Sequence, residues 1–215
     1  MPFFSIFAPM KRILIYLSIV AIACLPTNVS AQAYIKLNVP YAFVGILNAQ
    51  AEFVVSNHSS VAFDATYSPW RSFNGKHLNF GIALFEYRYY FNKVTCGLYL
   101  STNTGISAFD IHKPQFFIDG KFFSRQNDYG KGFGIMTGIG VGWERHIGKR
   151  WLMDIFISVD RIWSWYNRYH NDGTIVMYPQ GHEFYLKPDP FNGSAEYMPI
   201  KGGVSFGYRI FRPKY

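Results

Sequence analysis

The sequence predicts an all-β fold: a single antiparallel up-and-down barrel of about eight strands, preceded by an N-terminal leader. Three observations predict it. Apolar residues recur at every second position in one segment after another, the period of a strand whose two faces meet different surroundings. Aromatics make up 20% of the 215 residues and charged residues only 16%, against about 25% charged in ordinary soluble domains. After the leader, no apolar run approaches the roughly 18 residues of a membrane helix, so apolar surface is spread over short alternating strands.

The leader comes first. Met10-Lys11-Arg12 is followed by an apolar run from Ile13 to Leu25, then Pro26 and Ala31-Gln32-Ala33. Basic start, apolar centre and small-residue end are the parts of a signal peptide, and the run is too short to anchor the chain. Residues 1–33 are expected to be removed, by cleavage after Ala33 or after Ala31, with Met10 as an alternative start. Residues 34–215 then form the barrel domain. A competing reading makes Cys24, preceded by Ala21-Ile22-Ala23, a lipidation site. Only Cys96 remains after cleavage, so no internal disulfide forms in the mature chain. Its place within a strand pattern suits a small apolar side chain.

Eight strand-like segments follow, roughly 33–43, 46–56, 61–73, 77–91, 94–109, 130–147, 151–165 and 197–211. Each reaches the roughly 9–11 residues of a tilted membrane-crossing strand. Asn57-His58-Ser59-Ser60, Asn92-Lys93 and Gly148-Lys149-Arg150 are tight turns on one side. The opposite side carries long loops at 110–129 and 166–196, with shorter connections near Val44-Gly45 and Asn74–Lys76. Short turns on one side and long loops on the other are the pattern of an outer-membrane barrel.

The strand faces point the same way. Phe133, Ile135, Ile139, Val141 and Trp143 oppose Gly134, Met136, Gly138, Gly140, Gly142 and Glu144. Trp151, Met153, Ile155, Ile157 and Val159 oppose Asp154, Ser158 and Asp160, while Leu47, Ala49, Ala51, Phe53 and Val55 oppose Asn48, Gln50 and Glu52. Cys96, Leu98 and Leu100 oppose Gly97, Tyr99, Ser101 and Asn103. Glycine mixed with single charges of both signs suits a crowded interior that needs space and paired ions. The interior polar network is therefore expected to hold Glu52, Asp64, Glu86, Arg88, Glu144, Asp154, Asp160, Lys201 and Arg209. In 77–91, Phe80, Ile82 and Leu84 share parity with Glu86 and Arg88, opposite Phe85, Tyr87, Tyr89 and Phe91. That phase slip predicts a bulge near Ala83–Phe85, or else a later strand start.

Aromatic girdles at the two headgroup levels are expected from Trp70, Tyr89, Tyr90, Phe91, Trp143, Trp151, Trp163, Trp165 and Phe211. On the last strand Val204, Phe206, Tyr208 and Ile210 would face lipid, with Gly203, Ser205, Gly207 and Arg209 inward. The same strand carries Lys201, Gly203, Phe206 and Tyr208, which resembles the C-terminal signal read by the outer-membrane insertion machinery. That machinery, outer-membrane lipid and lipopolysaccharide are the partners implied. The formal charge of +8 is carried by scattered Lys and Arg, which suits anionic headgroups and argues against nucleic acid.

Several stretches together resemble a family of small outer-membrane β-barrel proteins of unknown function common in Bacteroidetes. IKLNVPYAFVGILNAQAEF (Ile35 to Phe53) resembles its first hairpin, with Glu52 as the glutamate. ATYSPW (Ala65 to Trp70) matches a Tyr-x-Pro-Trp element, and FEYRYYF (Phe85 to Phe91) a Glu-x-Arg-Tyr segment. GIGVGWERHIGKRWLMD (Gly138 to Asp154) resembles its glycine-rich sixth strand and Trp-led seventh, and YMPIKGGVSFGY (Tyr197 to Tyr208) its closing strand. Met198 stands where a glycine is common. The resemblance implies an outer-membrane barrel without a defined activity.

Enzyme chemistry finds little support. His58, His77, His112, His146, His170 and His182 show no metal-ligand spacing, and no cofactor motif is present. No catalytic, cofactor or metal residue is therefore expected. The nearest alternative is a rim acyl hydrolase using Ser164, His170 and Asp172. A narrow channel or small-ligand transporter is another, though eight strands leave room only for side chains or a small ligand. A secreted, lipocalin-like lipid binder would reverse the faces. Phe116, Phe117, Phe122, Phe123, Tyr166, Tyr169, Tyr178, Phe184 and Tyr185 make the long loops candidate contacts for a protein or glycan partner. They serve equally well as a lid.

Overall fold

Alternation at period two does produce strands here, and they close on themselves. The computed structural model describes residues 32–73, 75–112, 114–118, 121–125, 128–176 and 196–211. Nearly all of the expected signal peptide lies outside them, as do Cys24, His182, Tyr178, Phe184 and Tyr185. The elements are β1 (Ala33–Asn38), α1 (Val39–Phe43), β2 (Leu47–Val54), β3 (Ser59–Phe73), β4 (Lys76–Tyr90) and β5 (Gly97–Ile111). Then come β6 (Pro114–Ile118), β7 (Lys121–Arg125), β8 (Tyr129–His146), β9 (Trp151–Tyr169) and β10 (Glu196–Phe211). The strands β1-β10-β9-β8-β5-β4-β3-β2 form a closed antiparallel barrel. Closure removes both sheet edges, so every barrel strand finds partners on two sides, while β6 and β7 pair only with each other.

Several boundaries differ from the sequence reading. The first strand stops at Asn38, and residues 39–43 turn into α1, with a proline in its first turn. Pro40 has no N–H for a ladder, and its fixed φ suits a helix start. Tyr41 then donates its hydroxyl to the Ile200 carbonyl at 3.3 Å, tying α1 to β10. The loop expected over 110–129 contains the β6–β7 hairpin, and β9 continues to Tyr169. Cys96 lies in the turn before β5 and is exposed, not a strand residue.

The expected bulge near Ala83–Phe85 is absent. Both ladders of β4 run through this region without a shift, and the strand begins at Lys76. Phe80, Ile82 and Leu84 simply continue the inward row of Glu86 and Arg88. The lumen takes apolar side chains here beside polar ones: Leu84 lies over Gly105 and Met136 is 1% exposed, while Asp64, Thr66 and Ser68 of β3 stand opposite Leu84, Ile82 and Phe80. Register shifts occur elsewhere, between Ala33 and Tyr34, between Trp70 and Phe73, and between Met198 and Lys201 around Pro199, which cannot donate to a ladder.

The inward rows form the core. The outward rows are apolar and exposed: Leu37, Leu47, Phe53, Phe63, Phe85, Leu98, Leu100, Ile106, Phe133, Ile139 and Ile157 all lie on the wall. A polar inside with an apolar outside is the inverse of a soluble barrel. The connections at 55–58, 91–96 and 147–150 define a turn end, and the opposite, loop end carries α1, the short β3–β4 connection and the β6–β7 hairpin.

Candidate functional site

Each of the eight barrel strands sends a polar side chain into one buried network. β1 gives Lys36, β2 Gln50 and Glu52, β3 Ser60 and Asp64, β4 Glu86, Arg88 and Tyr90, β5 Tyr99, β8 Glu144, β9 Asp154 and β10 Lys201. All are buried, and Lys36, Glu52, Arg88, Glu144 and Asp154 are wholly so. Buried charges persist only when paired and hydrogen-bonded, and the pairing here is dense.

Arg88 is the hub. Its Nη2 donates to Glu86 Oε2 at 3.2 Å, while Nε lies 3.1 Å from Glu86 Oε1 as an ion pair without a hydrogen bond. Nη2 also donates to Gln50 Oε1 at 3.1 Å. Nη1 reaches Asp154 Oδ2 at 2.7 Å and Glu52 Oε2 at 3.2 Å. The guanidinium lies 4.7 Å from the Tyr99 ring centroid, a cation–π contact. Lys36 pairs with Glu52, with Glu144 at 2.9 Å and with Asp154 at 3.0 Å. Lys201 donates to Glu86 at 2.6 Å and lies 3.4 Å from Asp64. Tyr99 donates to Asp154 Oδ1 at 2.8 Å.

Glycine supplies the space. A side chain at Gly142 would strike the Tyr99 ring, and one at Gly207 would lie 3.0 Å from Lys36 Cγ and 2.7 Å from Leu152 Cδ1. Toward the turn end, Tyr90, Val94 and Tyr99 pack together with Val54 and Phe156 against them. The lumen is therefore filled at the level of the network.

Of the nine residues expected in the network, seven join it through ion pairs: Glu52, Asp64, Glu86, Arg88, Glu144, Asp154 and Lys201. Asp160 is buried but takes its hydrogen bond from Ser158 at 2.7 Å, without a cation partner among the described residues. Arg209 stands apart, reaching the Lys149 carbonyl at the turn end. The sequence reading missed Lys36, Gln50, Ser60, Tyr90 and Tyr99 as members. Lys36 was signalled by Tyr34, Lys36 and Asn38 alternating with Ile35 and Leu37, a short row that is easily overlooked.

Tyr90 needs correcting as a girdle residue. It has the inward parity of β4 and is 0% exposed, with its hydroxyl on Glu52 and Glu144. Trp70 also has inward parity on β3; it packs against Gly45 and donates to the Val44 carbonyl at 2.9 Å, capping the loop end. Tyr89, Phe91, Trp143 and Trp151 stand on the outer wall toward the turn end, and Trp163 and Trp165 toward the loop end. Phe211 closes β10, and its side chain lies outside the description.

Ser164, His170 and Asp172 are not brought together. His170 Nδ1 lies 3.0 Å from Asp128 Oδ1. Asp172 accepts from the Thr174 hydroxyl at 2.6 Å and its N–H at 2.8 Å, and these bonds hold its carboxyl below the usual range. A second polar cluster lies at the loop end. His77 Nδ1 is 2.8 Å from Asp110 Oδ1, and its backbone N–H donates to His112 Nδ1 at 2.7 Å. The Tyr129 ring stacks on His77 at 4.2 Å. No nucleophilic side chain makes a hydrogen bond within this cluster among the described residues. Nor does any group of three or more His, Cys, Asp or Glu among them gather as metal ligands.

No curated protein and no solved structure matches this chain. A family model does, and its span takes in α1 and every strand from β1 to β9, and with them all of the network except Lys201. The chain belongs to that family, described as protein of unknown function (DUF3575), which matches residues 15–198.

Proposed function

We propose that this protein is an integral outer-membrane β-barrel of a Gram-negative bacterium, exported by its leader, with a structural or surface-interaction role. The observation that carries the reading is the wall. Ile139 is 73% exposed, Leu47 66% and Phe133 57%, around a lumen that holds buried ions. Water would leave this apolar surface without partners, whereas acyl chains match it. Phe133 and Trp143 on β8 are ten residues apart, about 33 Å along a strand and about 25 Å along the axis at common tilts. That is the height of a membrane barrel's apolar band. Outward aromatics pair at both levels, Trp151 with Tyr208 at 5.1 Å and Phe133 with Trp165 at 5.2 Å. Lipopolysaccharide and phospholipid are then the immediate partners, insertion proceeds through the closing strand, and the loop end faces outward.

The test is expression of the full chain in a Gram-negative host, followed by isolation of outer membranes and gel mobility with and without boiling. Outer-membrane recovery with a boiling-dependent shift is expected. Recovery as a soluble periplasmic protein would mean that the apolar wall faces water and would overturn the proposal. A closed lumen also predicts no ion conductance in planar bilayers, because the network and the packed tyrosines fill the bore. A large ion-selective conductance would overturn the closed lumen and make the protein a channel.

A further inference from the structure

The network contains more acid than base. Lys36, Arg88 and Lys201 face Glu52, Asp64, Glu86, Glu144 and Asp154, all linked through shared contacts. Three cations cannot neutralise five carboxylates, and no solvent reaches Glu52, Glu144 or Asp154. An uncompensated charge in such a place is costly enough that it is neutralised by other means.

Hydrogen counting shows where. The Tyr90 oxygen lies 2.8 Å from Glu52 Oε1 and also in hydrogen-bond contact with Glu144 Oε2. A phenol carries one proton, so it donates to one of these oxygens and accepts from the other. A carboxylate has nothing to donate, whereas a carboxylic acid does. One of the two glutamates therefore carries a hydrogen.

The neighbours decide which. Glu52 receives the Ser60 hydroxyl, the Lys36 ammonium and Arg88 Nη1 at 3.2 Å. Asp154 receives Arg88 at 2.7 Å, Lys36 at 3.0 Å and Tyr99 at 2.8 Å. Glu144 is poorly supplied. Arg88 Nη1 is 3.8 Å from its Oε2, and its Oε1, 2.9 Å from Lys36 Nζ, receives no hydrogen bond. Toward Glu144, the charged and titratable groups are Tyr34 and Lys36 on β1, Glu52 on β2, Arg88 and Tyr90 on β4, Tyr99 on β5 and Asp154 on β9. Lys36 lies as close to Glu144 as to Asp154, but it donates its hydrogen bond to Asp154, and Arg88 Nη1 donates to Glu52 and Asp154.

We infer that Glu144 is a proton-binding site inside the barrel, held as a neutral carboxylic acid at neutral pH that donates to Tyr90, which in turn donates to ionised Glu52. The chain Glu144–Tyr90–Glu52 then has one hydrogen for each oxygen pair. The proton brings the ionised carboxylates from five to four against three cations, and it keeps the three strands β8, β4 and β2 tied across the lumen. The inference rests on the lumen geometry and holds whatever surrounds the wall.

The test is infrared spectroscopy of the full-length protein, purified and folded in detergent micelles at pH 7, with Glu144→Gln and Tyr90→Phe alongside. The parent should show a carboxylic-acid C=O band above the amide region that moves in heavy water. Glu144→Gln should lose that band and keep the parent's urea midpoint, because the amide N–H donates to Tyr90 as the acid did. Tyr90→Phe should keep the band at a shifted frequency, and this reading remains available if Glu144→Gln fails to fold. A band that survives in Glu144→Gln would assign the proton to another carboxyl and overturn the inference. Absence of the band in the parent, with a melting temperature that climbs on adding sodium or potassium, would also overturn it and assign the missing charge to a metal cation.

Discussion

Arg88→Ala should lower the stability of the folded barrel by about 3–5 kcal/mol, the cost of stripping one partner from a buried ion pair. Arg88 is 0% exposed and contacts Glu52, Glu86, Asp154 and Gln50 at 2.7–3.2 Å. Truncation leaves Glu86 with Lys201, and Glu52 and Asp154 with Lys36, so carboxylates outnumber their remaining donors. Water cannot make up the difference in a lumen packed with Tyr90, Tyr99 and Leu152. The measurement is a urea titration in micelles, followed by the mobility difference between boiled and unboiled protein. Arg88→Lys restores the charge but not the several guanidinium hydrogen bonds to Glu52, Asp154, Gln50 and Glu86, so it should recover only part of the loss. Because the pairs are buried, the deficit should persist in high salt, unlike that of a surface pair. An Arg88→Ala variant within about 1 kcal/mol of the parent, the scale of an exposed pair, would mean that the carboxylates are solvated and the lumen open.

The strands were legible in the sequence because wall and lumen differ so sharply. Lipid-type residues outside and glycine, serine or charge inside give an alternation that a soluble meander would blur. Glycines 138, 140 and 142 illustrate this, since each leaves room for a polar or aromatic side chain from a neighbouring strand. Where one strand sends apolar side chains into the lumen, its signal vanishes. Phe80, Ile82 and Leu84 looked like a wall face and forced a bulge that the continuous ladders of β4 do not contain. Tyr90 was ambiguous for a related reason: an amphipathic ring fits an interface or a buried hydrogen bond equally well. Only its parity decides, and Tyr90 shares the row of Glu86 and Arg88, beyond the supposed bulge. Partner choice was illegible altogether. Lys36 and Asp154 are 118 residues apart, and they meet because closure of β1 onto β10 sets their heights, which no local pattern encodes.

Ile139→Arg argues the wall in the same way. Ile139 sits near the middle of β8, between Phe133 and Trp143, with Thr102 and Val159 as its cross-strand partners. It is 73% exposed and touches no part of the network. On a water-facing wall, such a substitution would change stability by no more than about 0.5 kcal/mol. On a wall facing acyl chains, arginine at mid-height should cost about 2–4 kcal/mol. Leu47→Arg supplies the comparison. Leu47 is 66% exposed and opens β2 at the loop end, where a long side chain reaches the headgroups, so its cost should be about 0–1 kcal/mol. Urea titration of both variants folded into phospholipid vesicles reads the difference directly. Two exposed apolar residues with near-equal accessibility would then differ only by depth, a coordinate that water does not have. Equal, negligible costs at both positions would turn the wall into a soluble surface, and the protein into a periplasmic barrel with an ion-filled core.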